Sequence, residues 1–209
     1  MLKIDFIETD IAISDFENRI WKKANSVAIN KSWSGERAPV ERHTAARLLW
    51  SGEFFYVRFD GVQMEPLVTS VRPDVSKKAP RLWEHDVCEI FIAPGPSEPT
   101  RYFEFEVAPN GEWLDLGIRF INERRETDWE YNSKMETSAK NENDRIVLGI
   151  KIPWSAFDKK PTPDEIWLGN LFRIVGKGES RGYFAWQPTL TEKPNFHVPE
   201  KFGEFRFVR

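Results

Sequence analysis

The side chains of this sequence best placed to do chemistry gather around one stretch, Trp83-Glu84-His85-Asp86-Val87-Cys88-Glu89-Ile90-Phe91-Ile92-Ala93-Pro94. At the two-residue period of a strand, Val87, Glu89 and Phe91 share one side and Cys88, Ile90 and Ile92 the other. Both sides are therefore largely apolar, which is the pattern of a central strand in a packed sheet. A carboxylate in that setting costs free energy unless a cation, a donor or a ligand meets it. Glu89 needs a partner.

Other polar residues follow the same alternation. In Arg101–Val107, Phe103, Phe105 and Val107 point inward while Tyr102, Glu104 and Glu106 occupy the other face. Aligning the strands collects Arg58, Glu104, Glu106 and Lys151 opposite the inward apolar residues, with Glu89 and also Arg47, Asn170 or Arg173 joining them. Such a row is either the solvated outside of a sheet or a polar face that hydrogen-bonds a hydroxyl-rich ligand. The apolar neighbours of Glu89 favour the second. Two loop aromatics stand near this face, Trp83 before the central strand and Phe196 in Pro194-Asn195-Phe196-His197. A pair of rings could clamp a pyranose while carboxylates and the amides of Asn170 and Asn195 bond its hydroxyls.

The elements that must position these groups are strands. His43–Trp50 and Phe54–Asp60 flank the turn Ser51-Gly52-Glu53 and read as a hairpin. A Pro-containing loop, Gly61–Leu82, leads to Trp83. Further strands are expected at Val27–Ile29, Trp113–Leu116, Trp129–Ser138, Ile146–Ile152, Trp167–Val175, Gly182–Gln187 and Glu204–Val208. The N-terminal segment through Ile20, Trp21 and Ala24 shows helical spacing, Lys31–Glu41 reads as loop, Asn122–Asp128 as an exposed charged turn, and Trp154–Phe157 as one helical turn. Ten or so short strands with no βαβ pattern argue for an all-β fold, an antiparallel β-sandwich of jelly-roll type with minor short helical turns. No repeat or linker divides residues 1–209, which are read as one domain.

Composition narrows the function classes. A net charge of −3 leaves no basic footprint, which disfavours nucleic acid. Cys88 is the single cysteine, so an internal disulfide and a thiolate-cluster metal site are excluded. No apolar run approaches the roughly 18 residues of a membrane span, no partner protein is evident, and the first residues do not form a secretory signal. The chain as it stands reads as cytoplasmic; removal of a leader would make it secreted or periplasmic. Aromatic residues reach 14%, with nine Trp and sixteen Phe, which fits either a β-rich core or rings that stack on sugar faces.

The run Trp83–Ile92 resembles the tryptophan–acidic–acidic–strand motif of family 9 carbohydrate-binding modules. Further matches are Ile20-Trp21, Arg47-Leu48-Leu49-Trp50 with Tyr56-Val57, Lys151-Ile152-Pro153-Trp154, Gly169-Asn170, Trp186, and Asn195 through Gly203. The resemblance implies a DOMON-like, jelly-roll β-sandwich that binds a mono- or oligosaccharide without catalysis, gripping its reducing end between two rings. On that resemblance Trp83 is the first ring, Phe196 stands in the place of the second, where the family has Trp, and Glu89 is a hydroxyl acceptor. Glu106 stands where better-known members place an arginine. An ionised carboxylate cannot donate, so the donor is expected from Arg58, Arg173 or Asn170. No cofactor is expected, although members often carry structural calcium; its ligands are unassigned here.

Two other functions stay open on the residues alone. Glu89, Glu104 and Glu106 could include the acid and base of a glycoside hydrolase, which needs carboxyls about 5–5.5 Å or 6.5–9.5 Å apart. Related sandwiches bind haem, for which Met64, His85 and His197 are available. Cys88 is expected to be buried and inert.

Overall fold

The computed structural model describes all of residues 1–209. Fourteen strands follow in chain order: β1 Leu2–Phe6, β2 Ser26–Ile29, β3 Lys31–Ser32, β4 Thr44–Trp50, β5 Phe54–Val62, β6 Val87–Ala93, β7 Arg101–Val107, β8 Trp113–Ile121, β9 Arg124–Asp128, β10 Glu136–Glu142, β11 Arg145–Pro153, β12 Ile166–Val175, β13 Gly182–Ala185 and β14 Gly203–Val208. The helical content is short 3-10 turns, among them Leu82–Glu84 and Trp154–Phe157. None of these helices is long and apolar enough to cross a membrane.

Hydrogen bonding runs along one path, β10-β11-β5-β4-β1-β14-β12-β6-β7-β8-β9, with β2 added to β4 and β13 to β12. The path folds over so that β10 and β11 lie across from β7, giving a β-sandwich. Pairing is antiparallel except at β1, which is parallel to both β14 and β4 and joins the two halves. The larger core lies between the halves and includes Leu48, Val57 and Leu148 from one side and Cys88, Ile90, Phe103, Phe105 and Leu171 from the other. A second cluster, with Val87, Phe91, Tyr102, Leu116, Phe172 and Phe196, covers the opposite face of β12-β6-β7-β8. Every residue of β6 is buried as a result. This is the two-sided burial that its unbroken apolar run implies.

Several local expectations change. The N-terminal segment opens with β1, and its helical spacing yields only a 3-10 turn at Arg19–Lys22. Within Asn122–Asp128 the turn is confined to Asn122 and Glu123, both with positive φ, and Arg124–Asp128 is an edge strand whose charges face water. Trp129–Met135 is irregular and β10 begins only at Glu136. Lys31-Ser32, read as loop, forms the short β3 against β13.

Candidate functional site

The outer face of β6 and β7 carries the carboxylates. Antiparallel register sets Glu89 directly opposite Glu106 and Phe91 opposite Glu104, so the three project from one patch. Their exposures are 2% for Glu89, 3% for Glu104 and 0% for Glu106. One oxygen from each lies within 4.8 Å of the others. Glu89 Oε1, Glu104 Oε2 and both oxygens of Glu106 have no hydrogen-bond donor. Burial, then the neighbouring carboxylate Glu104, pushes Glu89 well above the usual carboxylate range. Burial, then Glu89 and Glu104, does the same to Glu106. Burial raises Glu104 as well, opposed by its neighbour Glu106 and then by the charge of Arg125.

Glu89 and Glu104 open into a cleft of about 310 Å³. Its walls come from five segments. Trp83 stands on the 3-10 turn before β6, where Arg81 adopts a left-handed conformation (φ 63°) to start the turn. The Arg181 guanidinium donates to the backbone carbonyls of Trp83, Glu84 and His85 and fixes that turn. Asp86, the acidic residue that follows, is buried and accepts from Val68 N at 3.1 Å and Gly176 N at 2.8 Å, tying two loops to the root of β6. Trp129, beyond β9, places its ring 6.1 Å from that of Trp83 at 49°. Tyr183 on β13, together with Arg125 and Thr127 on β9, completes the sides.

The remaining wall is the Pro194–His197 loop. Phe196 lies flat on Phe172, with centroids 4.0 Å apart and planes 9° apart. Asn195 lines the cleft and its Oδ1 accepts from His197 N at 3.1 Å. The His197 ring has Nδ1 2.8 Å from the Tyr102 hydroxyl and Nε2 3.9 Å from Glu104 Oε2. Burial, then the charge of Arg125, pushes His197 down to about 3, so the ring is neutral and does not offset the carboxylates.

The structure brings Trp83, Glu89, Glu104, Phe196 and Asn195 into one cleft, with Glu106 beside Glu89 on the same sheet face but outside the cleft lining. It separates the others. Arg58 lies on β5 in the other half of the sandwich, where Nη2 meets Asp60 Oδ1 at 2.7 Å beside Arg47. Lys151 pairs with Glu136 on β10 at 3.2 Å. Arg173 pairs in register with Cys88 and so faces the inter-sheet core, with Nη1 donating to Thr44 Oγ1 at 2.8 Å and Nη2 to Gln63 Oε1. Asn170 is fully buried; its Nδ2 donates to Gln187 O at 2.8 Å and its Oδ1 accepts from Gln187 N at 3.0 Å, a clamp on the chain leaving β13. None of the three expected donors reaches the cleft. Met64 is exposed and His197 is held by Tyr102, an arrangement that does not set them as a pair of axial haem ligands. Trp129, Tyr183, Arg125 and Thr127 were missed by the sequence reading. Trp129 stands out in sequence as a tryptophan in a charged segment, but nothing there places it in the cleft.

A match to the family described as carbohydrate family 9 binding domain-like spans residues 15–209. The chain belongs to this family. Solved structures agree on the fold: a candidate carbohydrate-binding protein from Bacteroides uniformis superposes with a TM-score of 0.76 at 19% identity, covering 99% of this chain and 98% of that one. A family 9 module from Caldicellulosiruptor kristjanssonii in complex with glucose superposes with a TM-score of 0.70 at 17% identity, covering 99% and 96%. The cellotriose complex of a family 9 module from the same organism gives 0.70 at 15%, covering 99% and 93%. Among curated sequences, an extracellular protein of Arthroderma benhamiae is 24% identical over 141 residues, spanning 61% of this chain and 63% of that protein.

Proposed function

We propose that this family 9 domain binds a mono- or oligosaccharide non-catalytically in the Trp83–Glu89–Phe196 cleft. The observation that carries the reading is the pairing of aromatic walls with a floor of unpartnered carboxyl oxygens. Trp83 and Trp129, inclined at 49° to each other, each offer an apolar ring face to the carbon-hydrogen face of a sugar ring. Glu89 and Glu104 supply acceptors for its hydroxyls, and Arg125, Thr127 and Asn195 supply donors at the sides. Phe196 already stacks on Phe172, so it presents one face or an edge and Trp129 takes the larger share of the aromatic contact. A cleft of about 310 Å³ is at the small end of ligand sites and suits the terminal unit of a saccharide, which fits recognition of a chain end.

The carboxylate arrangement also bears on catalysis. A glycosidase places its two carboxyls on either side of the bond it cleaves, whereas Glu89, Glu104 and Glu106 all rise from one sheet face. The functional test is tryptophan fluorescence of the wild type titrated with a panel of mono- and oligosaccharides, alongside Trp83→Ala. Saturable quenching or enhancement that disappears in the variant is expected. A folded wild type that responds to no sugar contradicts the proposal.

A further inference from the structure

The carboxylate patch has no ion-pair partner within the protein, although Arg125 lines the same cleft. Glu89 and Glu106 are directly opposed across β6 and β7, a position in which like charges destabilise a sheet. Leu114 of β8 faces Glu106 and Leu116 faces Glu104, so apolar side chains would continue the packing there. No arginine or lysine forms an ion pair with any of the three, and the nearest guanidinium on the motif side, Arg181, is engaged with backbone carbonyls. Four oxygens of these buried side chains have no donor, and two of the three residues open into a solvent-connected cleft.

We propose that Glu89, Glu104 and Glu106 hold a divalent cation of the calcium class at the floor of the cleft. Three carboxylates are hard oxygen ligands, which suit Ca²⁺ or Mg²⁺ rather than a soft transition metal. Their ligand oxygens lie within 4.8 Å of one another. Oxygens on opposite sides of Ca²⁺ stand about 4.6–5.2 Å apart and those on Mg²⁺ only about 4.0–4.2 Å, given their bond lengths. The oxygens are near enough for one ion to bridge all three, and Ca²⁺, with its flexible oxygen shell, suits a buried carboxylate cluster better than Mg²⁺, which dehydrates reluctantly and demands a near-ideal octahedron. A doubly charged ion relieves the mutual repulsion of the triad and satisfies its orphaned oxygens together. Its remaining positions point away from the sheet into the cleft. On the carbohydrate reading above, from which this extension follows, neighbouring sugar hydroxyls complete the coordination shell and the ion replaces the donor that Arg173, Arg58 and Asn170 do not supply.

The test uses the full chain stripped of metal with EDTA and dialysed. Calorimetric titration with CaCl₂ is expected to show one saturable site, with Mg²⁺ at least tenfold weaker. Terbium is expected to luminesce on tryptophan excitation, through Trp83 and Trp129, and to be displaced by Ca²⁺. Glu89→Gln and Glu106→Gln are each expected to weaken Ca²⁺ uptake at least tenfold, while their thermal melts in EDTA match or exceed that of the wild type because a like charge has been removed. A wild type that takes up no Ca²⁺ overturns the site, as do Gln variants that melt normally and bind as tightly. Sugar titrations in EDTA and in Ca²⁺ keep the two readings apart. Sugar binding without Ca²⁺ uptake removes the cation site alone, and Ca²⁺ uptake without binding of any sugar removes the carbohydrate reading alone.

Discussion

Replacing Arg173 by methionine separates a structural role from a ligand-binding one. The side chain is 1% exposed and faces the inter-sheet core. Nη1 donates to Thr44 Oγ1 at 2.8 Å and to Arg42 O at 3.3 Å, and Nη2 donates to Gln63 Oε1. Its charge also holds down the buried Asp86 carboxyl, which burial would otherwise raise further. Methionine fills much of the same volume but leaves the Gln63 oxygen without its donor and Asp86 without a compensating cation. Removing one partner of a buried charged network costs about 3–5 kcal/mol. For a chain of this size each kcal/mol shifts Tm by about 2–4 °C, so a fall of roughly 6–20 °C is expected in thermal melts followed by circular dichroism. Sugar affinity measured well below that Tm should stay within about threefold of wild type, less than the tenfold that 1.4 kcal/mol represents. An unchanged Tm with lost sugar affinity would refute the placement of Arg173 and the β12–β6 register that puts it opposite Cys88.

Four further outcomes follow from the geometry. Cys88 is fully buried and burial pushes its thiol up to about 12, so it should resist a thiol reagent at pH 8 in the native protein and react at once in denaturant. Trp129→Ala removes a ring that is 46% exposed, so stability should hold while sugar affinity falls by about 1–3 kcal/mol, the range for loss of one stacking partner; Phe196→Ala should instead lower stability by about 3–5 kcal/mol, because the ring is packed flat on Phe172. Gly169→Ala would set a Cβ 2.3 Å from the Phe91 carbonyl oxygen and from the Phe205 ring, forcing β12 away from β6 and β14; a loss of about 3 kcal/mol or more in urea unfolding is expected, the upper range for overpacking.

How much of the site is legible in sequence depends on what alternation can say. Period two tells which residues of one strand share a face, and it placed Glu104 and Glu106 together and marked Glu89 as a carboxylate among apolar neighbours. It does not say which half of a sandwich the strand joins. Arg58 and Lys151 have the same pattern as Glu104, yet they lie on β5 and β11 in the opposite half. Arg173 misled for a different reason. An arginine between Phe172 and Ile174 looks outward-facing by type, but register sets it on the core side, where Thr44 and Gln63 meet its guanidinium. Charge misled at Arg124–Asp128, because an edge strand tolerates charged side chains on its open side as readily as a turn does. Trp83 was legible because it stands at the root of a recognisable strand; Trp129 was not, because its place in the cleft depends on how the chain leaves β9.

The most direct measurement is a two-dimensional proton–nitrogen NMR spectrum of the tryptophan indoles during titration with the sugar that binds most tightly. The chain has nine tryptophans, of which Trp50, Trp154 and Trp167 are packed in the core between the sheets, and Trp83 and Trp129 line the cleft. The indole signals of Trp83 and Trp129 are expected to move together with one affinity while those of Trp50, Trp154 and Trp167 stay fixed. Sugar-dependent shifts confined to other tryptophans, with Trp83 and Trp129 unmoved, would show that the carbohydrate binds elsewhere.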